Sequence, residues 1–158
     1  MTTSTAGALP DLTDRTAIVG YLADLSPEAG LAPGLSDRLR GPYLRWLAFY
    51  GNCFEPAVMD RHLKHVPAPA SYCPYGDFDS VMDTLRTALA EGPWLLGERF
   101  TAADILWANA LEWTMGMGLV PREDAFERYV ARLAARPAIR RAADQDAALV
   151  RAQSRVAA

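Results

Sequence analysis

Thr101 and Asp104 stand three apart in "RFTAADILWA", residues 99 to 108, just ahead of an apolar run. A carboxylate beside a hydroxyl could act as an acid or base. No His or Lys lies near it in sequence, and a helix start explains both residues at once. With Thr101 as N-cap, Asp104 is the third helical residue. The Thr101 hydroxyl can then accept from the N–H of 104 while the Asp104 carboxylate reaches back to the N–H of 101, a capping box with Asp in place of the commoner Glu. Phe100 before the cap and Ile105 as fourth helical residue can form a hydrophobic staple. Asp104 also places negative charge at the positive end of the helix dipole.

Other residue types here could also do chemistry. His62 and His65 are one turn apart, with Cys73 eight residues on. Two imidazoles at that spacing can share a metal, but zinc sites declare four ligands, or three plus water. No fourth ligand is apparent, so no metal site is assigned and the pair reads as a solvated helix end. Tyr43, Trp46, Tyr50, Trp107 and Trp113 recur at helical spacing, which helix–helix packing accounts for. Arg136, Arg140, Arg141, Arg151 and Arg155 gather near the end among Asp residues, and read as a mixed solvated face. Neither a phosphate-binding glycine loop nor a G-x-S-x-G elbow occurs.

The elements that must position these residues are helical. "TDRTAIVGYLADL" carries Ile18, Leu22 and Leu25 at helical spacing, with Thr13 or Asp14 as cap. Ser26–Pro27 ends it. Leu39, Tyr43, Trp46, Leu47, Tyr50 and Phe54 form the next stripe, capped by Ser36 or starting at Gly41–Pro42. Pro56 should kink that helix, which runs on through Met59 and Leu63 to about His65. A proline-rich loop follows. Asp77 then caps a helix with the stripe Phe78, Val81, Leu85 and Leu89, ended by Gly92. The helix from Thr101 to Met117 is apolar nearly all round, as a central buried helix is, with Trp113 and Met117 on the same side as Leu106 and Ala110. Phe126, Val130 and Leu133 mark a helix over about 122–135, and Pro137 starts the last. No alternating strand pattern appears. Five or six helices with short connections imply an all-α helical bundle.

The chain has 158 residues, enough for one domain with a real core. A net charge of −3 gives no basic field for nucleic acid. No apolar run reaches bilayer length, since Asn109 and Glu112 interrupt the longest. Residues 1–12 are small and polar, without a secretory pattern, and are expected to be loosely ordered. A cytoplasmic protein is expected, and Cys53 and Cys73 form no disulfide framework.

The order "GPWLLGERFTAADILWANALEW", then "FERYVARLAARPAIRRA", resembles the carboxy-terminal domain of the cytosolic glutathione transferases, bacterial members in particular. The resemblance rests on Leu96, Gly97, Glu98, Phe100, Thr101, Ala103, Asp104 and Ile105. "RGPYLRWLAFYGNCFEPAVMDR" resembles the first long helix of that domain, and "LTDRTAIVGYLADLSPEAGLAP" the last helix and linker of the family's thioredoxin-like domain.

The resemblance implies a division into residues 1–33, a flexible start with the remnant thioredoxin-like helix and linker, and 34–158, the helical domain. It implies glutathione as co-substrate, held in part by an acidic residue at Asp14. Arg15 stands where the family has serine. It implies an apolar electrophile as second substrate, lined by some of Tyr43, Trp46, Tyr50, Trp107 and Trp113, and a homodimer. The residue that activates the thiol has no counterpart here, so little or no transferase activity is expected of this chain alone. A binding or dimerisation module that docks on a partner supplying the missing half is the alternative. So is a longer natural reading frame, which the nucleotide sequence upstream of Met1 would reveal.

Overall fold

The computed structural model describes residues 13–66 and 68–156; the segment 1–12 lies outside the described residues, as does the Arg155 side chain. Among the described residues seven α-helices occur: α1 (Arg15–Leu25), α2 (Arg40–Phe49), α3 (Glu55–Leu63), α4 (Phe78–Glu91), α5 (Ala102–Gly116), α6 (Asp124–Ala134) and α7 (Pro137–Val156). Among the described residues there is no strand, only two isolated bridges in the loop before α5. The all-α expectation holds.

α5 is the axis of the bundle. Ala102, Ala103, Asp104, Leu106, Trp107, Ala108, Ala110, Leu111, Thr114 and Met115 are all buried. α1, α2 and α6 pack against it. Trp107 sits at the centre, ringed by Trp46, Phe49, Tyr50 and Phe54 with centroids 5.0–6.0 Å away. Its indole N–H donates to the Trp46 carbonyl at 2.9 Å, so the buried polar end is satisfied. The expectation that Trp113 and Met117 share the buried side is corrected. They are 63% and 57% exposed, while Thr114 and Met115 between them turn to the core.

α1 also differs from its expected face. Asp14 caps it, accepting from the Ala17 N–H at 2.8 Å. The side turned inward, however, is Val19, Gly20 and the buried Ala23, not Ile18, Leu22 and Leu25. Small residues let α1 approach α2 closely: a Cβ on Gly20 would lie 3.3 Å from Leu47 Cδ1. Tyr21, Leu22 and Leu25 are left exposed.

α2 begins at Arg40, which puts Pro42 in the first turn, where a missing N–H costs nothing. Ser36 does not cap it; Leu39 holds that position. The kink expected at Pro56 is met by a π-helical turn, Tyr50–Phe54, joining α2 to α3. The Glu55 N–H reaches back five residues to the Tyr50 carbonyl. α3 ends at Leu63, and Lys64 turns left-handed at φ 56° to cap it. Met59 and Leu63 face solvent while Ala57 and Val58 are buried.

Asp77 caps α4 in a reciprocal box with Ser80. Gly92 ends α4 in extended backbone rather than by a left-handed turn. Its smallness serves close approach instead, since a Cβ there would lie 2.8 Å from Gly97 Cα.

Candidate functional site

Three places collect polar side chains beneath or beside an apolar surface. The first is Asp104, wholly buried at the start of α5. The capping box is present. Asp104 Oδ2 accepts from the Thr101 N–H at 2.8 Å and from the Thr101 hydroxyl at 3.1 Å. Oδ1 accepts from the Leu95 N–H at 2.9 Å and from the Tyr129 hydroxyl at 2.9 Å. One carboxylate therefore ties the preceding loop, the start of α5 and the middle of α6. Burial pushes the Asp104 carboxyl above its usual range, and the four donors hold that rise back. Burial beside this carboxylate raises the Tyr129 hydroxyl as well. The site is closed to solvent and its acceptors are filled, so it has no free valence for catalysis. Phe100 packs on Trp94 at 4.8 Å, with the Arg136 guanidinium 3.6 Å above its ring. Ile105 lines a cleft towards α1. Tyr129 was not singled out from sequence; its place three after Phe126 and four before Leu133 is the helical signal for it.

The second place is a cleft of about 360 Å³ between α1 and α5. Arg15 and Val19 of α1 face Ile105, Asn109 and Trp113 of α5, over a floor of Leu106 and Ala110. Arg15 leans on the π turn: its Nη1 donates to the Tyr50 hydroxyl at 2.6 Å, and that hydroxyl donates to Glu55 at 2.6 Å. Burial and the Glu55 carboxylate raise the Tyr50 hydroxyl above its usual range. A tyrosine committed in this way donates its proton to Glu55, not into the cleft.

The five aromatics divide sharply. Tyr43, Trp46, Tyr50 and Trp107 are 0–4% exposed; the last three stand among other rings, and Tyr43 lies under the Arg40 guanidinium. Trp113 alone of the five lines the cleft. Asn109 and Arg15 join it. Asn109 had a sequence signal, being the polar residue that interrupts the apolar helix. Asp14 lies one residue from the cleft, with its carboxylate engaged as the α1 cap.

A larger cleft of about 870 Å³ lies at the far end of α3 and α4. There Asp60 accepts from Tyr75 at 2.5 Å and pairs with His65 Nδ1 at 3.0 Å, while the Cys73 thiol donates to the Gly76 carbonyl. His62 is not in this cleft, so the two histidines are not brought together on it. Among the described residues no group of three or more His, Cys, Asp or Glu could hold a metal ion. No helix among them is long and apolar enough to cross a membrane.

Comparison with known proteins places these features in a family. The family model "Glutathione S-transferase, C-terminal domain" matches residues 75–144. The structure of a glutathione transferase from Methylococcus capsulatus str. Bath is 31% identical, with a TM-score of 0.65, covering 86% of this chain and 68% of that one. A sphingomonad glutathione S-transferase solved with glutathione is 27% identical, with a TM-score of 0.64, covering 86% of this chain and 68% of that one. Glutathione S-transferase GstA of Escherichia coli O157:H7 is 24% identical over 129 residues, which are 81% of this chain and 64% of GstA. The chain thus spans less than two thirds of that curated relative. With the capped, buried α5 and the surrounding helices arranged as in these structures, the chain belongs to the glutathione transferase family.

Proposed function

We propose that this chain supplies the helical half of a glutathione transferase, with residues 34–158 as the helical domain and α1 with its linker as the junction to a thioredoxin-like half. In this reading the α1–α5 cleft is the wall on which an apolar electrophile lies. The carrying observation is Trp113: a large aromatic on the central helix, it stands exposed and lines the cleft opposite Arg15 and Val19 of α1. A concave, mostly apolar surface with a few placed polar groups is what small-molecule sites look like.

The chemistry would be attack of the glutathione thiolate on the electrophile. That needs a donor aimed at the sulfur to lower its pKa. The donors that line the cleft are Arg15 and Asn109, whereas the tyrosine nearest it, Tyr50, donates its proton to Glu55; the family resemblance puts the thiol-activating residue in the thioredoxin-like half. Thiol activation is accordingly assigned to the thioredoxin-like half. A cytoplasmic location goes with this reading.

Two measurements test it. The purified chain should conjugate glutathione to 1-chloro-2,4-dinitrobenzene no faster than buffer does; robust turnover would refute the assignment of thiol activation elsewhere. Naphthalene should quench tryptophan fluorescence, and Trp113→Phe should abolish the response. Quenching that survives in Trp113→Phe, or none at all, would remove the cleft from the proposal.

A second reading rests on the exposed Tyr21, Leu22 and Leu25 of α1. A row of large apolar side chains on one helix favours a covering partner, either a second copy or the thioredoxin-like half. Light scattering across a concentration range checks it; a monomer at the highest concentration counts against self-association.

A further inference from the structure

We infer that the cleft at the far end of α3 and α4 binds a short zwitterionic peptide with an apolar side chain. Its carboxylate lies on Arg61 and Lys64 and its ammonium on Asp79. The inference is independent of the reading of the α1–α5 cleft. The volume, about 870 Å³, falls in the range of roughly 300–1,000 Å³ that small-molecule sites occupy. It is more than a single amino acid would fill.

The two walls of the cleft differ in charge. One is the end of α3, where Arg61 and Lys64 stand three apart and so share a side of the helix. The other is the start of α4, with Asp77 and Asp79. Ala57, Tyr75 and Phe78 supply apolar surface between them. Several of the charges are already engaged. Asp60 uses both oxygens, Oδ1 on His65 Nδ1 at 3.0 Å and Oδ2 on the Tyr75 hydroxyl at 2.5 Å. Asp77 Oδ1 accepts from the Ser80 N–H at 2.7 Å in the cap of α4. Arg61, Lys64 and Asp79 form no ion pair among the described residues. Unpaired charges are ordinary on an open surface. Here three of them line one cleft, two cations on one wall and a carboxylate on the other.

Arg61 is also held in position. Its guanidinium lies 4.0 Å from the centroid of the Phe78 ring, and Phe78 is buried. The stack reaches from α3 to the residue just before Asp79, so it brings the two walls together without pairing their charges. A guanidinium stacked on a ring keeps its in-plane N–H groups for a carboxylate. Lys64 leaves the helix end from a left-handed backbone at φ 56°. A simple anion in this cleft is repelled by Asp79, and a simple cation by Arg61 and Lys64. A zwitterion gains on both walls.

The experiment uses the whole chain and three forms of one dipeptide, followed by the backbone amide shifts of Gly76 and Asp79. Alanyl-phenylalanine carries both charges, its N-acetyl form lacks the ammonium, and its amide lacks the carboxylate. The zwitterion should bind about fivefold tighter than either blocked form at low salt, the size expected for one solvent-accessible ion pair. Lys64→Gln should shrink the advantage over the amide and leave the advantage over the N-acetyl form. Asp79→Asn should do the converse. Arg61→Gln should act as Lys64→Gln does; since it also removes the stack on Phe78, Lys64→Gln decides the matter if Arg61→Gln fails to fold. Diglycine, which has both charges and no apolar side chain, should bind more weakly than alanyl-phenylalanine.

Equal binding of the three forms would overturn the inference. So would an advantage that Lys64→Gln and Asp79→Asn leave unchanged or alter alike, and so would diglycine binding as well as alanyl-phenylalanine. Shifts at Asn109 in place of Gly76 and Asp79, or no shifts at all, would also overturn it and leave the α1–α5 reading standing.

Discussion

Replacing Asp104 by alanine tests the part of the structure on which everything else hangs. The substitution deletes the acceptor of four hydrogen bonds. The Thr101 hydroxyl can rotate to another partner. The Leu95 and Thr101 N–H groups and the Tyr129 hydroxyl cannot reach water, because the site is closed. A buried donor stranded without a partner costs roughly 1–3 kcal/mol. Three such donors would sum to more than is observed for most single substitutions. One term opposes them: the variant no longer carries the burial cost that pushes this carboxyl upward. The net expectation is a loss of about 3 kcal/mol, or about 6–12 °C in Tm for a chain of this size. Asp104→Asn keeps one acceptor oxygen and should cost less, about 2 kcal/mol. Urea denaturation followed by tryptophan fluorescence measures both.

The pH dependence adds a second constraint. A carboxyl whose folded pKa is raised contributes stability below its unfolded value, near 3.8, and loses it as the pH rises through the folded value. The deficit of Asp104→Asn should therefore be larger on the acid side than at pH 7.5. An unchanged midpoint for Asp104→Ala, or a deficit that shrinks on acidification, would refute the reasoning.

The division of the aromatics is open to the same assay. Trp107→Phe should cost about 2 kcal/mol, from lost volume and a Trp46 carbonyl left without its donor. Trp113→Phe should stay within about 0.5 kcal/mol, as exposed positions do. Gly92→Ala should destabilise by about 2 kcal/mol, because its Cβ would press on Gly97 backbone rather than on a movable side chain. Gly116→Ala meets nothing within 4 Å, and should stabilise α5 by about 0.5 kcal/mol in thermal melts. Arg86→Ala releases Glu123, whose carboxyl the guanidinium holds below its usual range. Both groups are about a third exposed, so the loss should be about 1 kcal/mol. It should shrink in 1 M salt and as pH falls through the depressed Glu123 value, because the stabilisation is present only above it.

The helices were legible in the sequence because their signals are local. Asp14, Asp77 and Thr101 announce helix starts by type and position, and each heads the helix it should. Half of what Asp104 does was readable, the half that falls within three residues of it. The Leu95 and Tyr129 bonds were not, since they depend on where the loop and α6 come to rest. The inward face of α1 was misjudged for an instructive reason. Hydrophobicity favours Ile18, Leu22 and Leu25, but the helix turns its small side inward, where Gly20 allows close contact with Leu47. The cleft was the least legible feature. Trp107 and Trp113 have the same residue type on the same helix, and only the positions of α1 and α2 decide that one is core and the other lines a surface.

The π turn at Tyr50–Phe54 has a wider meaning. It holds one residue more than an α-helical path would need. One residue corresponds to about 100° of rotation, so the turn acts as a phase shifter between α2 and α3. Upstream of it, Tyr43, Trp46 and Leu47 face the core; downstream, Ala57 and Val58 do. At that rotation per residue a continuous α-helix would already bring Ala57 and Val58 to within about 60° of Tyr43, so the extra residue turns α3 relative to α2 rather than restoring a lost register. The chain thus carries its aromatic wall and its distal Asp60 clasp on one rod, with a rotation between them that straight-helix geometry does not contain.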